Sequence, residues 1–390
     1  MNNKEVIVIG GNHHNMLGAI REFGKFNIQV YAIITNSSKY AYVKKSKYVK
    51  ESIIVEESEH EILKALNYFQ KRINKKKIVL IPTSDFAEYV IDKNLNKLEE
   101  NFLIPNINGK PNEIIKYMNK FEQVKLCSKY DIKMAKSWIE YLGTNEDIEK
   151  SKLFFPCLMK PLESIDGEKA DICISHNLNE YRKNLENFKK KKYKKILVQE
   201  YINYNYEISI MGCSFEKDVI ISGAIKKIRR YPDRTGNVSF GIVEPLNNEK
   251  IKSKIYNLFK EINYNGLFDI EIFNIGENKW MINEINFRNS GNTYSLSYDN
   301  VYLVVLYYYM ISGLSIDKLK KEVTKEYYMR DVYNEKLKLR KHEINLKEYL
   351  SDKQKTQTDL TTDKEDNNVK IWKMIYAILR RINKNGEKRF

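Results

Sequence analysis

Cysteine is scarce in this chain: four residues in 390, Cys127, Cys157, Cys173 and Cys213, with no CxxC pair among them. Such spacing argues against a disulfide framework or a thiolate zinc site and fits reduced thiols in a cytoplasm. Long apolar runs are missing too; none approaches the roughly 20 residues a membrane-spanning helix needs, although hydrophobic residues make up 42%. No leader peptide is expected, because Met1 to Lys4 run straight into a strand-like segment. Histidine is as sparse, and His13 and His14 read as polar residues of a loop after a strand. No repeat is visible. What the chain does have is positive charge, a formal +16, with a basic run at Lys189–Lys195. No nucleic-acid motif accompanies it, so the run reads as a solvated helix end and no specific nucleic acid is expected. The same field suits acidic substrates such as nucleotides.

A chain of 390 residues exceeds one hydrophobic core, since single cores stop growing near roughly 250 to 300 residues. The run Glu5–Ile9 precedes Gly10 and Gly11, a helical pattern through Leu17, Ile20 and Phe23 follows, and Val30–Ile34 and Ile78–Ile81 are further strand-like runs. Residues 1–108 therefore read as a doubly wound α/β domain, whose strand ends at Gly10 and at Thr83, Ser84 and Asp85 are the places such folds bind ligands. The Gly-Gly turn lacks the third glycine of a dinucleotide fingerprint. From Pro111 a helix over 113–129 leads into strands joined mostly by short turns, an α+β body that the apolar helix Tyr302–Ile311 would close.

Two segments carry the chemistry. Gly266–Phe273 (GLFDIEIF) and Trp280–Arg288 (WMINEINFR) read as strands of a hairpin with a four-residue turn at Gly276–Lys279. That turn pairs Ile275 with Trp280, and counting back sets Glu271 opposite Glu284. Asp269 and Asn286 then share the face, and Arg288 brings a fixed cation to it. Two opposed carboxylates repel unless a cation sits between them, and magnesium completed by substrate phosphates is the hard cation that fits.

Glu284, Asn286 and Arg288 as E-x-N-x-R, with Glu271 upstream, resemble the metal-binding hairpin of the ATP-grasp superfamily, to which D-alanine:D-alanine ligase and biotin carboxylase belong. Other motifs fall in that family's order over about residues 5–314. The resemblance implies a pre-ATP-grasp α/β domain (1–108) and a two-subdomain ATP-grasp fold (109–314, divided near 198/199). It places Lys120 of MNKF and Lys160 of FPCLMKP at the nucleotide phosphates. Glu200, with the backbone of Tyr201 and Ile202 in ILVQEYI, would read adenine, and Glu207 the ribose. Lys227 and Arg229 of AIKKIRRYP, closest to D-aspartate ligase, would face the transferring phosphoryl group together with Arg288. Glu163–Lys169 would form the lid over the triphosphate, with Ser164 and Lys169 as its phosphate contacts, although it has one glycine and three carboxylates where the family is often Gly- and Ser-rich. Glu271, Glu284 and Asn286 would hold two Mg2+ ions, with Mn2+ as the alternative metal.

The function so implied is an ATP-dependent carboxylate–amine ligase. It would pass through an acylphosphate, release ADP and phosphate, and act on an amino acid or a cell-wall or surface-polymer precursor. A bicarbonate-activating carboxylase or carbamoyl-phosphate-type enzyme is the second reading, disfavoured by the lack of a biotin-carrier or amidotransferase segment. A non-catalytic basic protein binding nucleic acid or membrane is the third.

Residues 315–390 lie outside the resemblance and read as a basic extension. Within it 352–368 is a polar stretch without apolar periodicity, hence a disordered linker. Residues 369–385 form an amphipathic helix with Ile371, Met374, Ile375, Ile378, Leu379 and Ile382 on one face and Lys373, Arg380, Arg381 and Lys384 opposite. Residues 352–390 are expected to be dispensable for chemistry. The helix would either rest on the body or hold the enzyme, otherwise cytoplasmic, at an anionic membrane's inner face.

Overall fold

The computed structural model describes residues 4–35, 40–73, 77–143, 153–162, 171–233 and 236–386, with side chains to residue 379. The chain opens with β1 (Glu5–Gly11), α1 (His14–Lys25), β2 (Gln29–Thr35), β3 (Val49–Val55), α2 (Glu59–Arg72) and β4 (Ile78–Pro82), then α3 (Asp85–Lys93), α4 (Leu95–Leu98) and β5 (Phe102–Leu103). These strands form a parallel sheet in the order β3-β2-β1-β4-β5. Helices cover both faces, which is why β1, β2 and β4 are runs of Val, Ile and Leu without polar alternation. The chain leaves β1 toward β2 on one side and returns at β4 on the other, so the carboxyl ends of β1 and β4 frame the crevice where such sheets bind ligands. Gly10 stands there for close packing. A Cβ on it would lie 2.0 Å from Thr83 Oγ1, whose hydroxyl donates to the Ile9 carbonyl at 3.0 Å.

The next segment runs β6 (Asn106–Ile107), α5 (Glu113–Met118), α6 (Lys120–Lys129), β7 (Ser137–Tyr141), β8 (Cys157–Pro161), β9 (Cys173–Ser175), α7 (Leu178–Lys190) and β10 (Lys195–Glu200). The single helix expected over 113–129 is two. Asn119 ends α5 and caps α6 by accepting from the Phe121 and Glu122 N–H groups. Strands β7, β10, β8 and β9 make a small antiparallel sheet with its own core of Cys157, Met159, Tyr181, Leu185 and Val198.

The largest sheet follows: β11 (Tyr206–Phe215), β12 (Asp218–Tyr231), β13 (Asn237–Glu244), α8 (Glu249–Glu261), β14 (Tyr264–Gly276) and β15 (Lys279–Asn286), then α9 (Leu303–Ile311). Its order is β15-β14-β11-β12-β13, with β6 pairing on β14. Ile208, Ile210, Ile270, Ile272, Ile282 and Ile285 point to a core shared with α8, while Glu207, Ser209, Asp269 and Glu271 alternate to the other face.

The C-terminal region departs from expectation. It folds as β16 (Tyr327–Arg330), α10 (Val332–Arg340), α11 (Leu346–Lys355), β17 (Thr356–Asp359) and α12 (Asn367–Gly386). β16 joins the large sheet beside β13, and β17 pairs with β16, so residues 352–368 are not a linker. They are ordered by partners distant in sequence. Asp366 is buried, accepts from Arg21 Nε at 3.0 Å and Ser46 Oγ at 2.9 Å, and Tyr294 donates its hydroxyl to Asp363. Nor is 315–390 an appendage. Val323, Tyr327, Leu360 and Val369 share one core with Val6, Met16 and Met211.

Candidate active site

The hairpin register matches the sequence reading at the two pairs that matter: Glu271 opposes Glu284 and Asp269 opposes Asn286. The route differs. Gly276 pairs with Lys279, so the turn is two residues, Glu277 and Asn278, with Asn278 at φ 52. Two bulges offset each other: Ile275 is extra on β14 and Asn283 is extra on β15. The second explains why Ile282 and Ile285, three apart, both reach the core.

Cations meet this acidic face from three elements. Lys227, directly opposite Glu207 on β12, donates to Glu271 Oε1 at 2.6 Å and also to Glu207. Lys120, the first residue of α6, stands 3.4 Å from Glu284 Oε1. Lys160 on β8 is buried and donates to Gln199 Oε1 at 2.9 Å. Burial and the nearby Lys120 ammonium lower its pKa to about 8, while Glu284 and Glu271 pull the other way. Burial, and next the Glu271 carboxylate, push Asp269 up; the Ser209 hydroxyl that donates to it opposes this.

Glu271, Glu284 and Asn286 make an all-oxygen donor set suited to a hard divalent cation. The ammonium groups of Lys227 and Lys120 against the two carboxylates mark where positive charge is required. Among the described residues no three His, Cys, Asp or Glu side chains group as a metal cage. A metal here would therefore take the rest of its shell from a ligand's oxygens.

Several expected roles change. Arg229 does not join Lys227. Strand alternation would put them on one face, but Ile228 is extra in the β12–β13 register, and Arg229 turns away. There it binds Glu335 at 2.6 Å, Glu348 at 3.0 Å and Asp352 at 2.6 Å, all from the C-terminal region. Its charge is already matched, so a phosphoryl group would find no free cation in it. Arg230 takes the vacated place and pairs with Glu207. Glu207 is buried with one oxygen held by Lys227 and the other by Arg230, so it anchors this cluster and is not open to a ribose hydroxyl. Glu200 and Tyr201 lie on and just beyond β10, half-buried, but the Tyr201 N–H already donates to the Pro156 carbonyl at 3.2 Å. Ile202 is half-buried beside them. Ser164, Lys169 and the lid at 163–169 lie outside the described residues. The sequence reading missed Arg230, Gln199 and Glu88, although the Arg-Arg pair at 229–230 signalled that one of the two would face the site.

The first domain closes the other side. Arg288 donates to Asp85 Oδ1 at 2.6 Å and approaches Asn286 Oδ1 at 3.4 Å. Asn15 and Asn289 exchange bonds at 2.6 and 2.9 Å, tying the first turn of α1 to the hairpin exit. His14, expected in a loop after β1, is the first residue of α1 and is buried 3.3 Å from Asp331. Asp85, Glu88, Gln123, Glu284, Asn286 and Arg288 line a small cleft between the domains. Glu88 is buried there with neither carboxyl oxygen hydrogen-bonded among the described residues, and desolvation raises its pKa well above the usual value. A carboxyl raised in the folded state stabilises below its unfolded pKa and loses that contribution as pH rises. Wild-type stability is therefore expected to fall relative to Glu88→Gln as pH rises from about 4 toward 8. Denaturant melts across that range check it; parallel curves would refute it.

Residues 125–299 match the family model of the ATP-grasp domain. Solved structures share the fold. An L-amino acid ligase from Bacillus licheniformis superposes with TM-score 0.65 at 12% identity, covering 84% of this chain and 79% of its own. An N5-carboxyaminoimidazole synthetase from Staphylococcus aureus, complexed with ADP, gives 0.66 at 18%, covering 88% and 86%. The biotin carboxylase domain of a Hydrogenobacter thermophilus 2-oxoglutarate carboxylase, with MgADP and bicarbonate, gives 0.64 at 16%, covering 83% and 73%. No curated protein matches the chain by sequence.

Proposed function

From the ATP-grasp domain that residues 125–299 form, we propose that this chain is an ATP-dependent carboxylate–amine ligase that makes an amide through an acylphosphate and releases ADP and phosphate. One observation carries the reading: Glu271 opposes Glu284, with Asn286 on the same face, in front of Lys120 and Lys160. A carboxylate at neutral pH does not react with an amine, because it is ionised and its oxygen leaves poorly. Phosphorylation removes both obstacles.

In this reading the substrate carboxylate attacks the γ-phosphate in line, and the amine then displaces phosphate. Lys120 and Lys160 neutralise the phosphates, and Arg288, held by Asp85, orients the substrate carboxylate at the crevice between β1 and β4. Arg230 takes the place first given to Arg229. Magnesium, held by Glu271, Glu284 and Asn286 with phosphate oxygens, would draw charge from the γ-phosphate. Two ions are what the family resemblance implies, and Mn2+ suits the same oxygens. Glu200, Tyr201 and Ile202 would line the adenine end, and the family resemblance assigns phosphate contacts to Ser164 and Lys169.

An amino acid, or a cell-wall or surface-polymer precursor, is the substrate class supported by the likeness of residues 224–232 to D-aspartate ligase. Four free thiols support a cytoplasmic setting. Bicarbonate in place of an organic carboxylate is the second reading, favoured by the fold shared with a domain bound to MgADP and bicarbonate. A screen of amino acids and amines, read by mass spectrometry, is expected to give ADP and phosphate only when both partners are present. AMP as sole product would overturn the acylphosphate, and ADP release with bicarbonate alone would favour the second reading.

Lys160 adds a pH dependence. A lysine with a pKa lowered to about 8 is increasingly neutral above that pH, whereas a phosphate favours its charged form. ATP affinity is therefore expected to weaken above pH 8, approaching tenfold per unit for one proton. Calorimetric titration should show that slope in the wild type and a flat profile in Lys160→Met. A slope that survives the substitution assigns the proton elsewhere.

A further inference from the structure

α12 rests on the body by one face only. Val369 and Tyr376 are buried and Trp372 and Leu379 partly so, at the 3- and 4-residue steps of a single helical stripe. The Tyr376 ring packs on Tyr40 at 5.4 Å and on Trp372 at 5.2 Å. The Lys373 ammonium lies over the rings of Tyr42 and Tyr333, at 4.7 and 4.3 Å. Lys373 thus belongs to the docked side and not to a solvated polar face.

The other side of the same helix is apolar and uncovered. Ile371, Met374, Ile375 and Ile378 follow the i, i+3, i+4, i+7 pattern and are 48%, 62%, 37% and 57% exposed. Four large apolar side chains in one exposed row are more than scattered surface residues. Exposed Lys370 borders the row. From Asn367 to Phe390 the sequence has seven Lys or Arg against one Glu, a net of +6. Pairing two copies here would bring together two segments of net +6, which disfavours a second copy as the occupant. No described helix is long and apolar enough to cross a membrane.

We propose that the outward face of α12 is a membrane-surface anchor, lying in the plane of an anionic bilayer with Ile371, Met374, Ile375 and Ile378 inserted between lipid headgroups. The body-facing stripe fixes the helix in orientation, so the apolar row is presented without an ordering cost at binding. This surface is independent of the ligase reading, since none of its residues lines the acidic site.

The test uses the full chain and vesicles of phosphatidylglycerol with phosphatidylcholine, against phosphatidylcholine alone, in a flotation assay. The wild type should float with the anionic vesicles only, and high salt should weaken binding. Met374→Glu combined with Ile378→Glu alters the two most exposed positions of the row, which do not pack on the body. It should cut binding by on the order of tenfold or more with an unchanged melting temperature. Failure to float with anionic vesicles, or equal flotation by the double variant, overturns the proposal. So does a concentration-dependent dimer in light scattering that the double variant abolishes, which would make a second copy the occupant. ADP release measured without vesicles reports separately on the ligase reading.

Discussion

Glu284→Gln is expected to lower turnover by on the order of 10²- to 10³-fold or more, because in the proposed ligase reading the developing charge on the γ-phosphate would lose a charged ligand of its metal. The fold should survive. Glu284 pairs with Lys120 at 3.4 Å in a partly exposed contact, of a kind that contributes about 0 to 1 kcal/mol. Its removal also relieves the like charge of Glu271 across the strand pair, an effect of similar size and opposite sign. Metal-free stability should thus stay within about 1 kcal/mol of wild type, while the stabilisation that the proposed site would draw from magnesium plus nucleotide should be lost. Phosphate release and thermal melts with and without Mg·ATP read both halves. A solvated acidic patch predicts the reverse pattern, and wild-type turnover in both Glu271→Gln and Glu284→Gln would remove the site assignment.

Asp366→Ala is expected to destabilise the whole molecule by about 3 to 5 kcal/mol, the usual cost of stripping one partner from a buried ion pair. Arg21 is fully buried on α1, and Asp366 accepts from its Nε at 3.0 Å while also receiving Ser46 Oγ and the Lys47 N–H. Without that carboxylate, the contacts left to Arg21 among the described residues include a 3.4 Å hydrogen bond to the Thr361 carbonyl and the Tyr294 ring at 5.7 Å, with no carboxylate bonded to it. Urea denaturation measures the loss, and a change below about 1 kcal/mol would mean the pair is solvated. The same geometry reverses the expectation that residues 352–390 are dispensable. Deleting them removes β17, Asp352 of the Arg229 cluster and both Asp363 and Asp366, so lost activity in a truncated chain would report folding and not chemistry.

The pairing of Glu271 with Glu284 came out right although the turn has two residues instead of four, because the extra Ile275 and the extra Asn283 cancel. Bulges have no sequence marker of their own, so this agreement was not secured by the counting. At β12 the extra Ile228 is offset by an extra Ser239 on β13, but only after Arg229. Ile228 broke the alternation, sending Arg229 to Glu335, Glu348 and Asp352 and bringing Arg230 to Glu207.

The sequence by itself determined the local alphabet of this protein: Val- and Ile-rich runs long enough for a covered parallel sheet, alternating Ile with Asp and Glu in the hairpin, and an order of motifs that resembles the ATP-grasp superfamily's. These are short-range properties, set by side-chain period and backbone propensity within a few residues. Only the tertiary structure decided which charges meet. Asp366 is ordered by Arg21 across 345 positions, Glu335 holds Arg229 across 106, and Asp331 meets His14 in the core. Such partners are chosen by topology, and a polar stretch such as 352–368, whose apolar content is too low to predict any core, becomes structure because buried cations elsewhere require its carboxylates.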